Sequence, residues 1–315
     1  MGSYAGPEKN LAQDAGIPFE PILTGKLRRY FDLRNLTDLV RIPLGVMQAW
    51  WKLGRLQPDL VFSKGGFVAV PVVWAAWLRR IPVIIHESDA IPGLATRLTA
   101  PMARKILLGF EDAKCGLEKW AQKIQVVGAP IRGEIFEGNR KQALALTGFS
   151  GNRPVLLVMG GSGGAMALND AVMQEKSKLT EHFDMVHLTG AGKGEQVKEA
   201  HYLSFPYLKS ELKDIYTITS IAVSRAGANS LAELSALGIP ALLFPLGLDS
   251  SRGDQWANAH AMQKSGHFRI ADPKESILDQ LLSLQETARE RSQNLKTTPS
   301  AQEVALHIAK ICQAG

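Results

Sequence analysis

Residues 220–245, SIAVSRAGANSLAELSALGIPALLFP, decide how the rest of the chain is read. Apolar Ile221, Ala222 and Val223 make a short strand that runs into a glycine turn. Leu231, Leu234 and Leu237 then recur every three residues on one helix face, and Gly238 with Pro240 stops the helix before a second apolar run. Strand, turn, helix and strand in that order form a βαβ unit, whose two strands lie parallel. The turn therefore stands at the helix N-terminus. There the backbone N–H groups and small side chains of Ala228, Asn229 and Ser230, with the helix dipole, favour an anion, for which a phosphate is the obvious guest. Glu233 is three residues past Ser230, so the spacing places it in the first turn, where it accepts hydrogen bonds from ligand hydroxyls as acidic residues do from ribose. The same S-x-x-E spacing also describes a capping box that does no more than close the helix end. Both readings stay open.

Working outward, residues 154–159 form a continuous apolar strand followed by Gly160-Gly161-Ser162-Gly163-Gly164-Ala165 and a helix. Glycines remove the Cβ atoms that would block a close approach, and the N–H groups at the helix start converge on an anion. The run lacks the P-loop lysine and the G-x-G-x-x-G spacing, so a Walker site and a dinucleotide fingerprint are both excluded. On the other side, the polar loop 246–259, LGLDSSRGDQWANA, ends on a helix start and offers Asp254 and Gln255 to sugar hydroxyls, or Asp254 as an ordinary N-cap. Residues 277–289 and 302–311 read as helices, the last folding back across a hinge.

The first half repeats the pattern. A strand at 59–62 ends in Ser63-Lys64-Gly65-Gly66, and one at 82–85 ends in His86-Glu87-Ser88-Asp89. Ligands of open α/β sheets bind at that carboxyl edge, and His86, with an ordinary pKa near neutrality, is a candidate general base or a supporting histidine. Further strands are expected at 16–22, 105–110, 124–127, 185–188 and 201–205. The helix expected at 36–56 carries Leu39, Ile42, Val46, Trp50 and Leu53 on one face. Its tryptophans and the nearby arginines suit either a sheet-covering helix or the headgroup region of a bilayer. Gly128-Ala129-Pro130-Ile131-Arg132 reads as a hinge.

The totals agree with two ordinary globular domains. The chain has 315 residues, 45% hydrophobic and 21% charged, with a net charge of +6 and two cysteines without metal spacing. A modest positive charge with no aromatic-basic interleaving does not indicate nucleic acid. No signal peptide and no apolar run of about 18 residues is read from the sequence.

Six runs in the same order resemble the MurG family: KGGFVAVP from Lys64, HESDAIPG from His86, GAPIR from Gly128, GGSGGA from Gly160, SRAGANSLAE from Ser224 and GDQWANA from Gly253. The resemblance implies a GT-B glycosyltransferase with two Rossmann-like domains facing a cleft. An acceptor and membrane-side domain spans 1–132, a UDP-sugar domain 133–298, and a C-terminal helix 299–315. It implies that Ser162, Gly163 and Ala228, Asn229 and Ser230 hold a diphosphate, Glu233 the ribose, and Asp254 with Gln255 the N-acetylglucosamine, although some relatives carry Gln at the position of Asp254. Arg132 would close the donor site from the hinge, and residues 205–208 would flank the uracil. Gly65, Gly66, His86, Glu87 and Asp89 would line the acceptor side, with His86 the candidate base. The implied partners are UDP-N-acetylglucosamine, an undecaprenyl-linked muramoyl-pentapeptide and the cytoplasmic face of the bacterial plasma membrane, to which the protein would bind peripherally. No nucleic acid, cofactor or metal is expected, because helix ends and Arg132 can stabilise the leaving diphosphate.

The family pattern also begins with a strand and a G-G-T-G-G-H loop that have no counterpart here, so the first domain is expected to be short of its first βαβ unit. Strands near Gly16 and Asp59 would then lack the partner between them. A start set too late is the favoured explanation. A second polypeptide that supplies the unit, or a donor-binding remnant inactive alone, are the others. A GT-B enzyme with another lipid acceptor is the remaining alternative for function.

Overall fold

The computed structural model describes residues 1–4, 6, 8–25, 34–161, 166–193, 196–247 and 253–291, with backbone alone at 34–40 and 289–291. Ser162, Gly163 and the expected C-terminal helix lie outside them. The chain divides into two compact units, Met1–Val127 and a second that begins at Gly128, so Arg132 belongs to the second.

In the first unit, β3 (Val61–Ser63), β4 (Val83–Glu87), β5 (Lys105–Leu108) and β6 (Ile124–Val126) form a parallel sheet in that order. The strands are short apolar runs buried on both sides, as a parallel sheet requires; Ile84, Ile106, Leu107 and Leu108 are fully buried. Each such side chain contributes about 1.5–3 kcal/mol when taken out of water. Helices α3 (Ala69–Leu78) and α4 (Leu94–Thr99) make the crossovers. Strand β1 (Gly2–Ser3), followed by α1 (Glu8–Asp14), pairs with β2 (Pro21–Ile22) in a separate two-stranded sheet. Of the expected strand at 16–22, two residues pair. Among the described residues β3 is paired on one side only.

Helix α2 (Arg34–Leu56) packs on α3 with a face that keeps Val46 and Leu53 of the expected stripe but not Trp50. Its buried stripe is Gly45, Ala49 and Leu53, at i, i+4 and i+8, whereas Trp50 is exposed. A Cβ at Gly45 would stand 2.2 Å from the Leu23 carbonyl oxygen. Gly45 lies against that carbonyl, beside β2, because it carries no side chain, and Met47, Trp50 and Trp51 are exposed.

The second unit has one seven-stranded sheet in the order β13 (Phe268–Ile270), β12 (Ala241–Leu243), β11 (Thr219–Ser224), β7 (Val155–Met159), β8 (Asp184–Leu188), β10 (Tyr202–Phe205) and β9 (Lys198–Glu199). All pairs are parallel except β10 with β9. Apolar residues that alternate along each strand feed two cores. One face packs Leu157, Val186 and Ala222 against α5 (Arg140–Thr147), α8 (Leu212–Ile218), α9 (Ala228–Ala236) and α10 (Asp254–Gln263). The other packs Leu156, Val158 and Val223 against α6 (Met166–Gln174), α7 (Lys176–His182) and α11 (Ile277–Arg291). Helices on both faces of a parallel sheet make it doubly wound.

Candidate active site

The chain enters the second sheet at its centre with β7, runs outward through β8 and β10, and returns to place β11 on the other side of β7. Helix α6 therefore leaves β7 towards one face and α9 leaves β11 towards the other. Such a switch point opens a crevice at the carboxyl ends of the strands, where ligands of this architecture bind. The ends of β7 and β11 stand side by side there, since the Arg225 amide donates to the Met159 carbonyl at 3.2 Å. Gly161 has φ +83°, a left-handed conformation that glycine adopts without strain.

Helix α9 begins at Ala228, with Gly227 as its N-cap residue and no side-chain capping bond. The capping-box alternative is thereby removed: Ser230 is already inside the helix. Ala228 is buried, Asn229 exposed and Ser230 half-buried. Their turn presents a helix N-terminus that no side chain closes among the described residues, the end at which partial positive charge favours a phosphate. The early start also corrects the position of Glu233, which falls in the second helical turn.

Glu233 is the centre of a cluster drawn from three elements. Its Oε2 accepts from the Tyr216 hydroxyl of α8 at 2.9 Å, and its Oε1 accepts from Arg132 Nη2 at 3.2 Å. The carboxylate is largely buried, whereas Arg132 is 55% exposed, so the pair is worth little as an ion pair and more as an orienting contact. Burial, reinforced by the neighbouring carboxylate, pushes the Tyr216 phenol far up, so it remains a hydrogen-bond donor at any working pH.

Arg225 Nη1 donates to the Phe244 and Pro245 carbonyls at 2.9 and 3.2 Å, while its Nε is buried with no partner. Burial lowers the pKa of this guanidinium. Fully buried Asn258 of α10 donates to the Ala226 carbonyl at 3.1 Å, which ties the turn to that helix. Gln255 accepts from the Leu246 amide at 3.0 Å, so its carbonyl oxygen closes the loop and its NH2 is the end it can offer a ligand. Asp254 is the first residue of α10, behind the N-cap residue Gly253, rather than the cap itself. In the segment after β10, Phe205 and Leu208 belong to the core, and Tyr207 is the exposed aromatic.

At the carboxyl edge of the first sheet, Gly65 and Gly66 turn with φ +84° and +80°. His86 and Glu87 lie within β4 rather than beyond it. The His86 imidazole is fully buried, its Nδ1 3.3 Å from Lys64 Nζ and 3.4 Å from Ser88 Oγ, and Lys64 donates to Ser88 at 2.7 Å. Burial lowers the Lys64 pKa, while Glu87 and Asp89 oppose the shift. Glu87 is occupied by its own loop. It accepts from the Asp89 and Gly93 amides at 3.2 and 3.0 Å and from Thr96 Oγ1 at 2.5 Å, and so shapes the turn into α4 that carries half-buried Asp89.

The structure thus gathers Arg132 with Glu233, and His86 with the Gly65 edge through Lys64. Tyr216, Lys64, Arg225 and Asn258 were not singled out by sequence reasoning. Lys64 and Arg225 sit inside runs already noticed for their glycines. Tyr216 carries no local signal, being an apolar-face residue of an ordinary helix.

The family models for the glycosyltransferase family 28 N-terminal and C-terminal domains match residues 1–108 and 155–311. The UDP-N-acetylglucosamine–N-acetylmuramyl-(pentapeptide) pyrophosphoryl-undecaprenol N-acetylglucosamine transferase of Oceanobacillus iheyensis is 42% identical over 313 residues, 96% of this chain and 87% of that protein. The protein of the same name from Legionella pneumophila strain Lens is 44% identical over 296 residues, 93% of this chain and 81% of its own. The crystal structure of Acinetobacter baumannii MurG shares the fold with a TM-score of 0.71 at 22% identity, covering 99% of this chain and 89% of that one. UDP-GlcNAc 2-epimerase from Neisseria meningitidis does so at 0.65 and 16%, over 98% and 89%. These likenesses extend to the GT-B arrangement of two Rossmann-like domains. With that identity sustained over nearly its whole length, the chain belongs to glycosyltransferase family 28, in the MurG family of UDP-N-acetylglucosamine-dependent hexosyltransferases.

Proposed function

We propose that the protein transfers N-acetylglucosamine from UDP-N-acetylglucosamine to the C4 hydroxyl of undecaprenyl-diphosphate-linked N-acetylmuramoyl-pentapeptide, with inversion, in peptidoglycan synthesis. The observation that carries this reading is the Arg132, Tyr216 and Glu233 cluster beside an uncapped helix end at the switch point. In this reading Glu233 binds the ribose, Ser162, Gly163 and residues 228–230 bind the diphosphate, and Asp254 and Gln255 bind the sugar. Gly65, Gly66 and Asp89 receive the acceptor, in a loop that Glu87 shapes. The acceptor oxygen bonds to the anomeric carbon as the bond to the diphosphate oxygen breaks, its electron pair leaving with UDP. The hydroxyl proton passes to His86, reached through Ser88 because the imidazole itself is buried. Backbone N–H groups at the helix ends, with Arg132, meet the charge that develops on the diphosphate, where preorganised donors are worth most.

The test is transfer of radiolabelled sugar from UDP-N-acetylglucosamine to a lipid-linked acceptor, in buffer containing EDTA. Product is expected with EDTA and not with Ser162→Ala and Ser230→Ala combined. An absolute requirement for a divalent cation would remove the charge-stabilisation scheme, and unimpaired turnover by the double variant would remove the diphosphate assignment.

The same reading places the first unit against the anionic cytoplasmic face of the plasma membrane. No helix of the described residues is long and apolar enough to cross one. Between α2 and α3 lies an apolar groove of about 560 Å³ lined by Ile42, Val46, Met47, Trp50, Trp74 and Leu78. The Arg79 guanidinium lies 3.9 Å over the Trp50 ring at its rim, a combination of indole and cation suited to the headgroup layer. Co-sedimentation with vesicles containing phosphatidylglycerol is expected to fall about tenfold or more in Trp50→Ala/Trp51→Ala, since each large side chain buries about 1.5–3 kcal/mol. Equal binding by variant and parent would exclude this face.

A further inference from the structure

Beyond β12 the sheet ladder ends. Its last bonds run from the Phe244 amide to the Ser224 carbonyl at 2.8 Å and from the Ala271 amide to the Leu243 carbonyl at 2.9 Å. Pro245 has no N–H to continue them. The Phe244 and Pro245 carbonyls are met instead by one side-chain nitrogen, Arg225 Nη1, at 2.9 and 3.2 Å. The Leu246 amide then donates to Gln255 Oε1 at 3.0 Å, which brings the segment to the first turn of α10. Helix α10 is itself tied back: Asn258, three residues after Gln255 and on the same face, donates to the Ala226 carbonyl at 3.1 Å. Arg225 and Ala226 are adjacent, so these bonds close a ring through residues 244–246, Gln255 and Asn258.

Taking a guanidinium partly out of water costs free energy that an apolar side chain in its place would not. The cost is visible in Arg225 Nε, which is buried without a hydrogen-bond partner. What the arginine supplies is direction. Its own amide is bonded to the Met159 carbonyl at the end of the central strand β7, and from that fixed point its Nη1 holds two successive carbonyls that the sheet no longer reaches. The Gln255 carbonyl oxygen is used on Leu246, so the place of Leu246 sets where the Gln255 NH2 points. We propose that Arg225 is a positioning residue that fixes residues 244–246 and, through them, the Gln255 amide, and so sets how tightly the donor's sugar is held. This rests on the reading that Gln255 binds the sugar, and it assigns Arg225 no contact with substrate.

The test titrates UDP and UDP-N-acetylglucosamine calorimetrically into the full chain and reads the ratio of the two affinities. Arg225→Met keeps the apolar stem and loses both bonds. It is expected to weaken UDP-N-acetylglucosamine about tenfold and to leave UDP within about twofold of the parent. Arg225→Gln, whose amide is too short to reach both carbonyls, is expected to do the same and serves if the methionine variant does not fold. Arg225→Lys, whose ammonium can still donate to them, is expected to bring the sugar nucleotide back to within about threefold. A loss shared equally by the two ligands in Arg225→Met overturns the proposal, because it marks a diphosphate contact or a damaged site instead of a displaced amide. A lower melting temperature with an unchanged ratio overturns it as well. Gln255→Ala separates the two layers: if it leaves the ratio unchanged, the sugar assignment fails first, whereas a changed ratio in Gln255→Ala with none in Arg225→Met defeats the positioning role alone.

Discussion

Glu233→Ala is expected to weaken UDP binding on the order of a hundredfold, the upper end of what one hydrogen-bonded charged group contributes in a partly desolvated site. The carboxylate is largely buried and both oxygens already accept, one from Tyr216 and one from Arg132, so it is held in place before any ligand arrives. Its removal takes away the acceptor for the ribose hydroxyls and frees Arg132 from its orientation. It also strands the buried Tyr216 hydroxyl, at a cost of about 1–3 kcal/mol to the fold. The two effects separate on comparison of UDP with 2′,3′-dideoxy-UDP. The parent is expected to prefer UDP by roughly the factor that the variant loses, and the variant to bind the two alike. Adding Tyr216→Phe to Glu233→Ala is expected to recover stability without recovering that preference, because it removes the stranded group and not the missing acceptor. A parent protein that binds the dideoxy analogue as tightly as UDP would falsify the ribose assignment.

The second large effect is on stability in acid. Burial lowers the pKa of His187 from 6.5 to about 4, and its tautomer is fixed by the neutral groups that face it, the Asn169 amide and the Tyr202 hydroxyl. Beyond Tyr202, the Lys176 ammonium lies 4.3 Å over its ring and donates to Glu199 at 2.7 Å, so the charges there form a pair and burial is the cause of the shift. The unfolded chain takes up a proton at this residue below about pH 6.5, and the folded protein does so only near pH 4. The contribution is therefore complete above the unfolded pKa and is lost as pH falls towards the folded one, a span worth about 3 kcal/mol at 1.36 kcal/mol per pH unit. Urea unfolding between pH 7 and pH 4 measures it. Trp256 is the one tryptophan of the sequence beyond Val127, so with Trp50, Trp51, Trp74, Trp77 and Trp120 replaced by Phe its emission reports on the second unit. Relative to the parent, His187→Gln is expected to lose about 3 kcal/mol less over this range, because glutamine does not titrate. Parallel pH profiles would show that the imidazole is not held neutral.

What local sequence could reveal is best seen at β11 and α9. Ile221–Val223 and Leu231 with Leu234 are all buried, because a strand and helix laid on one sheet bury whatever repeats with their own periods. Gly65, Gly66 and Gly161 were legible for a similar reason, since a reversal with positive φ leaves few choices of residue, whereas Gly227 is an ordinary extended N-cap residue. The expected strands at 105–110, 124–127, 185–188 and 201–205 pair within a residue or two of their reading, apart from the two residues trimmed from the first. Capping chemistry was less legible. The S-x-x-E spacing is satisfied at Ser230 and Glu233, yet the helix begins two residues before Ser230, at Ala228, and Glu233 answers to Tyr216 and Arg132 instead. In helix α2 the periodicity found Val46 and Leu53 but missed Gly45, whose place against the Leu23 carbonyl needs the absence of a side chain.

By itself the sequence determined the doubly wound class, from periods legible within single strands and helices, and the family, from six short runs in a fixed order. The tertiary structure alone decided that Glu233 meets Tyr216 and Arg132, that His86 lies buried behind Lys64, and that His187 reaches Asn169. Those contacts join residues separated by 17 and 101, 22, and 18 positions. No local pattern encodes such separations; the order of strands in the sheet brings them within hydrogen-bonding reach.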